Sequence, residues 1–178
     1  MKKIILTALV AIASITANAQ VWVGGQLGFS VTNNDATDKN LTEFTIAPEI
    51  GYSLSDKWDI AIALGDKYSK PEDFDATNDF FVNPYARYTF FQTGKVGFFL
   101  DGGFSIKTGD ITVDDVTLED ETMFGVGIRP GVKFAASDKV TFVASFGGLG
   151  YKKVEDEYSK FGFNVNGNAL QFGCYYSF

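Results

Sequence analysis

Residues 123–134 read Met123-Phe124-Gly125-Val126-Gly127-Ile128-Arg129-Pro130-Gly131-Val132-Lys133-Phe134. Phe124, Val126, Ile128, Val132 and Phe134 fall on one parity, and Met123, Gly125, Gly127, Arg129, Gly131 and Lys133 on the other. A period of two is that of a β-strand with unlike faces, because successive side chains point to opposite sides of the backbone. One face here is apolar, and the other mixes glycine with charge.

The same alternation recurs along the chain from Gln20, and helical spacing never takes over. Val21, Val23, Leu27, Phe29 and Val31 oppose Trp22, Gly24, Gln26, Gly28 and Ser30. Phe44, Ile46, Ile50, Tyr52 and Leu54 oppose Glu43, Thr45, Ala47, Glu49, Gly51 and Ser53, and Trp58, Ile60, Ile62 and Leu64 oppose Asp59, Ala61, Ala63 and Gly65. Phe80, Val82, Tyr88 and Phe90 oppose Asn83, Tyr85, Arg87 and Thr89; Val96, Phe98, Leu100, Phe104 and Ile106 oppose Gly97, Phe99, Asp101, Gly103 and Ser105. Residues 140–147 and 170–178 complete the set, with Phe142, Phe146, Phe172, Tyr176 and Phe178 on their apolar face. Eight strands are therefore predicted, an even number suited to a closed antiparallel up-and-down barrel.

Composition narrows the class. The 178 residues are 46% hydrophobic and 21% charged, the balance of one folded domain. No histidine and a single cysteine remove the commonest acid/base and metal ligand, all disulfides and Cys-cluster metal sites. A net charge of −7, with 15 basic against 22 acidic residues, argues against nucleic acid as a partner. No apolar run after residue 20 approaches the ~18 residues of a membrane helix.

The first nineteen residues read as an address. Lys2 and Lys3 precede the apolar stretch Ile4–Ile15, and Ala17-Asn18-Ala19 supplies the small residues of a cleavage site. This is the order of a secretory signal peptide. Cleavage after Ala19 would leave a barrel domain of residues 20–178 and, by losing two lysines, carry the net charge from −7 to −9.

Connections point to a membrane. Segments 32–42, 66–79, 107–122 and 152–160 read as long polar loops, whereas 55–57, 93–95 and 136–138 are short. Strict alternation of long and short suits a barrel with one end outside the cell and tight turns at the other. A soluble lipocalin-like barrel would instead turn the apolar face inward. Eleven of the 19 glycines (24, 28, 51, 65, 97, 103, 125, 127, 131, 147 and 173) lie on the polar face. A solvated strand surface gains nothing from glycine, whereas a narrow eight-stranded lumen needs it beside Arg, Tyr and Trp. The polar face is therefore placed inside and the apolar face in lipid.

The predicted interior then holds Glu43, Glu49, Asp59, Arg87, Asp101, Arg129 and Lys133. Glu49, Arg87, Asp101 and Arg129 lie at similar distances from their short turns and are expected to share one mid-barrel layer as a lumen charge cluster. A three-residue hairpin at Thr93-Gly94-Lys95, setting Gln92 against Val96, would place Arg87 directly opposite Asp101. Pro48, Pro84 and Pro130 fall inside strands and lack a ladder N–H, so local bulges are expected there. Asp110, Asp114, Asp115, Glu119, Asp120 and Glu121 form an acidic loop without the pattern of a calcium-binding helix-loop-helix; it reads as solvated, with weak cation bridging to lipopolysaccharide phosphates as the other option. Cys174 falls on the lipid face. Ser-Asp-Lys occurs twice, at 55–57 and 137–139, where tight turns are expected.

The chain ends Gln171-Phe172-Gly173-Cys174-Tyr175-Tyr176-Ser177-Phe178. Polar, x, Gly, x, x, aromatic, x, aromatic resembles the C-terminal assembly signal of outer-membrane barrels. Together with the leader it makes the chain resemble the small OmpA/OmpX-like outer membrane β-barrel, or porin-family, proteins. Asn83-Pro84-Tyr85-Ala86-Arg87-Tyr88 and Gly127-Ile128-Arg129-Pro130-Gly131-Val132 resemble strand motifs of that group. The resemblance implies a bacterial outer-membrane location among lipid and lipopolysaccharide, and insertion by the barrel assembly machinery through Gln171, Gly173, Tyr176 and above all Phe178.

Function is then expected to be non-catalytic, with no cofactor and no metal: envelope structure, or adhesion and interaction through the four long loops with an extracellular partner. A small porin-like channel for ions or solutes is the alternative, and a lipid-modifying enzyme is disfavoured by the missing histidine.

Overall fold

The computed structural model describes residues 21–34, 39–71, 76–113, 116–154, 158–164 and 170–178. The strands are β1 (Val21–Asn34), β2 (Lys39–Ser53), β3 (Trp58–Pro71), β4 (Thr77–Thr93), β5 (Val96–Val113), β6 (Val116–Ala135), β7 (Val140–Ser145), β8 (Gly148–Val154), β9 (Tyr158–Asn164) and β10 (Gln171–Ser177). All pairings are antiparallel, and β1 pairs with β10, closing the sheet. The ten segments make eight staves. Strands β7 and β8 both pair with β6, one above the other, and are partnered in turn by β10 and β9.

Burial alternates as the sequence predicts for a barrel in lipid. Phe99 is fully buried, while its neighbours Phe98 and Leu100 are 43% and 38% exposed. Leu27, Phe29, Phe104, Val126 and Phe172 are all more than half exposed on the outer face. On β3 the outward series Trp58, Ile60, Ile62 and Leu64 ends at the exposed Asp66. At ~3.3 Å per residue and a tilt of ~40°, that series covers about 20 Å of height, near the apolar band of an outer-membrane barrel. Near the short-turn end Tyr52, Trp58, Tyr176 and Phe178 face outward, with Trp58 stacked on Tyr88 at 4.6 Å and Tyr176 edge-on to Phe178 at 5.4 Å. Amphipathic rings at that level form an interfacial girdle.

Inward glycines make room for rings. A Cβ on Gly51 would sit 2.1 Å from the Trp22 indole, one on Gly65 2.2 Å from Phe81, and one on Gly131 2.3 Å from Phe99. Those distances are incompatible with any side chain unless the aromatic leaves.

Three expectations are corrected. First, the long polar loops are largely strand: β1 runs to Asn34, β3 to Pro71, β5 to Val113 and β8 to Val154, and β6 begins at Val116. Polar side chains silence the sequence signal, yet the backbone ladder continues outside the lipid because it needs no apolar side chains. Second, the β4–β5 turn is two residues, Gly94-Lys95, with Thr93 opposite Val96 and Gly94 at φ +55. The register shifts by one between Thr89 and Phe91, where Phe90 is the extra residue. Arg87 does face Asp101, but a shorter turn and a bulge together produce that pairing. Third, Pro48 and Pro84 cause no register shift. At each, two rungs are missing on one side, towards β3 and β5 respectively, while the pairings Gly25↔Pro48 and Ile62↔Pro84 persist on the other. A proline lacks only the N–H aimed at one neighbour, so only that ladder opens. Pro130 does border a bulge: its carbonyl accepts from Phe146 N–H, and the β6 register moves from Gly131↔Ser145 to Ile128↔Leu149.

The two Ser-Asp-Lys turns are one structure used twice. Ser55 Oγ accepts from the N–H groups of Lys57 and Trp58, as Ser137 Oγ does from those of Lys139 and Val140. Leu54 N–H donates to the Trp58 carbonyl at 2.8 Å and Ala136 N–H to that of Val140 at 2.9 Å. With the same offset, Ile46, Pro48 and Gly65 match Ile128, Pro130 and Gly147. The hairpins β2–β3 and β6–β7 are thus repeats of one pattern, four staves apart.

Candidate functional site

One cross-strand row organises the interior. Ser53, Asp59, Arg87, Asp101 and Arg129 stand directly opposite one another on β2 to β6. Charge alternates along it, so each cation has an acid beside it. Arg87 lies between two carboxylates and takes Asp101 in a two-pronged pair, Nε to Oδ1 at 2.7 Å and Nη2 to Oδ2 at 2.9 Å. Both side chains are 3% exposed. Buried, parallel N–H···O bonds of this kind are the strongest form of ion pair, and removing either partner strands the other. Asp59 instead accepts from Ser53 Oγ at 2.6 Å. Arg129, less enclosed, donates from Nη1 to Gln171 Oε1 at 2.6 Å and approaches Asp101 Oδ2 with Nη2 at 3.5 Å.

Glu49 is not part of that chain. Its Oε1 accepts from Gln26 Nε2 at 2.7 Å, and its Oε2 from the hydroxyls of Tyr85 at 2.6 Å and Tyr175 at 2.8 Å. Gln26 also donates to Tyr175 Oη at 2.9 Å and accepts from Ser145 Oγ at 3.1 Å. Three donors compensate the desolvation of a carboxylate that has no cation among the described residues. The rings of the same tyrosines face Arg87, whose guanidinium carbon lies 5.5 Å from the Tyr85 centroid, 5.4 Å from Tyr175 and 4.0 Å from Phe99. Ring faces are electron-rich, so they attract the cation.

Of the predicted cluster, then, Arg87, Asp101 and Arg129 are joined, and Glu49 occupies a separate hydrogen-bonded centre linked to them through two tyrosines. Sequence reasoning placed Gln26, Tyr85 and Tyr175 on the inner parity without assigning them a role, and gave Gln171 one only in the assembly signal. A buried carboxylate needs about as many donors as it has accessible lone pairs, which was the available signal. Towards the long-hairpin end, Lys67 pairs with Glu43, and Lys107 reaches Asp79 at 3.4 Å. Towards the short-turn end Thr89 Oγ1 is buried without a partner among the described residues, and the Lys133 stem packs over Gly97.

The last strand has two faces. Gln171 and Tyr175 point inward into the network, and Gly173 lies where a Cβ would meet Gln26 Cγ at 2.7 Å. Phe172, Cys174, Tyr176 and Phe178 are exposed outward. Among the described residues no cluster of His, Cys, Asp or Glu could hold a metal. The acidic side chains of 110–121 lie outside the described part.

Comparison with known proteins is consistent with this geometry. The structure resembles that of Neisserial surface protein A, with a TM-score of 0.55 at 16% identity over 90% of this chain and 98% of that one. It also resembles the N-terminal β-barrel domain of Pseudomonas aeruginosa OprF, with a TM-score of 0.51 at 17% identity over the same shares. At such identities the likeness concerns the fold. No curated protein sequence matches. The profile of the outer membrane protein beta-barrel domain matches residues 4–178, nearly the whole chain. The chain belongs to that family: it is an eight-stave outer membrane β-barrel protein.

Proposed function

We propose that the protein is a non-catalytic scaffold of the outer membrane, with a lumen closed by its own side chains and extracellular hairpins available to a partner. The observation that carries this reading is the solvent-inaccessible mid-lumen: Phe99 and Ser145 are fully buried, and Arg87, Asp101 and Gln26 are 2–3% exposed. The two buried mid-lumen carboxylates are held by fixed donors, Glu49 by Gln26, Tyr85 and Tyr175 and Asp101 by the Arg87 fork, which favours structure over chemistry. On this reading residues 1–19 are removed on export, the barrel assembly machinery reads Phe178 and Tyr176, and the long hairpins meet lipopolysaccharide and extracellular partners. Strands β5 and β6, at 18 and 20 residues, support that role because they outreach the lipid.

Planar-bilayer recording tests it. The purified protein is expected to give no steady conductance, and Arg87→Ala with Phe99→Ala is expected to open one. Regular unitary currents from the unmodified protein would replace the scaffold by the small channel.

A further inference from the structure

The interior network spans the seam at which the barrel closes. Gln26 on β1 and Glu49 on β2 bond to Tyr175 on β10 across sequence separations of 149 and 126 residues, and Ser145 on β7 reaches Gln26 across 119. By contrast, Tyr85 on β4 reaches the same Glu49 oxygen across only 36 residues. Loop closure disfavours the distant contacts until the intervening strands are in place. Trp22, also on β1, stacks on Tyr175 at 4.5 Å, again across the seam.

We infer that Gln26, Glu49, Trp22 and Tyr175 form an interior latch that sets only after the last strand docks on the first, and that holds the closed barrel against reopening. The last strand thereby divides its tasks by face. Its outward aromatics remain exposed for other contacts, whereas its inward Tyr175 fastens the ring. Tyr85 and Tyr175 give a paired test, since each donates its hydroxyl to Glu49 Oε2 from opposite sides of the seam, Tyr175 also accepting from Gln26 and packing on Trp22 across it.

Folding of the membrane-extracted protein from urea into phosphatidylcholine vesicles reads the order. Tyr175→Phe is expected to leave the folding rate unchanged and to speed unfolding by roughly ten- to hundredfold, the scale of a buried hydrogen bond to a charged acceptor. Tyr85→Phe is expected to slow folding as well. Equal partitioning of the two substitutions between folding and unfolding, or no effect of Tyr175→Phe, would overturn the latch. Should Tyr175→Phe fail to fold, the two tryptophans decide independently. In Trp22→Phe, the Trp58 fluorescence change should precede the compact gel band; in Trp58→Phe, the Trp22 change should coincide with it. Trp22 responding as early as Trp58 would refute late closure.

Discussion

Glu49 and Arg87, opposite charges buried in the same cross-section, make no ion pair with each other; Tyr85 and Tyr175 stand between them, giving hydroxyls to the carboxylate and ring faces to the guanidinium. Arg87 is thereby free to commit its fork to Asp101. Two charge centres share one pair of aromatic residues, so a change at either tyrosine is felt by both.

The Arg87–Asp101 pair should behave as a unit. Asp101→Ala leaves a buried guanidinium without its fork partner and is expected to cost about 3–5 kcal/mol. Replacing both, as Arg87→Met with Asp101→Leu, should recover much of that loss, because neither member of the buried fork is left without the other. Urea unfolding in lipid vesicles measures it; equal losses for the single and double variants would contradict the pairing energetics.

Three glycines should respond in three ways to alanine. At Gly131 a Cβ meets Phe99 at 2.3 Å and the Ala144 carbonyl at 2.8 Å, so overpacking is expected to cost about 1–3 kcal/mol. At Gly94 nothing lies within 4 Å, and the φ of +55 alone should cost about 1 kcal/mol. At Gly102, whose Cβ would touch Ile128 at an ordinary 3.8 Å, alanine should be neutral within about 0.5 kcal/mol. The order of midpoints in one denaturation series checks all three.

The faces can be read with light. Trp58 is 46% exposed on the outside and Trp22 is 5% exposed within. Brominated phospholipid should quench single-tryptophan protein retaining Trp58 and leave that retaining Trp22 nearly unchanged. Reversed quenching would turn the barrel inside out.

Ser55→Ala and Ser137→Ala should cost the same amount, about 0.5–1 kcal/mol each, and add in the double variant, since the turns share their bonds and lie four staves apart. Unequal effects in thermal unfolding would show that the turns differ in their surroundings.

Much of the barrel was legible because lipid imposes a simple rule on half the residues. Alternation located the membrane part of every stave, and the inward glycines settled which face was which. Outside the lipid that rule lapses, so the strands continuing to Val113 and Val154 read as loops. The Arg87–Asp101 opposition was legible for a reason only partly right: turn length and bulge compensated, and the bulge lies at adjacent phenylalanines of which only Phe90 keeps the alternation. Glu49 was placed in a layer with Arg87, Asp101 and Arg129 but its partners were not legible, because parity gives the face of a residue and not its partner. Pairing was decided by which acids the row already matched with bases, and by tyrosines whose hydroxyls sequence cannot aim.

The single extra residue between β7 and β8 reaches further than its size. Gly147, at φ +57, absorbs it. Beyond it the parity inverts, so that Tyr151 faces out and Gly150 faces in, whereas Val143 and Ser145 face in below. The wall is therefore spliced there from two pieces with independent phase. The splice sits beside Pro130 at the level of Arg129, and β8 above it still pairs with the lipid-facing Phe124, Val126 and Ile128, so one residue lets a single stave reset its inward positions halfway up the wall without losing its apolar surface.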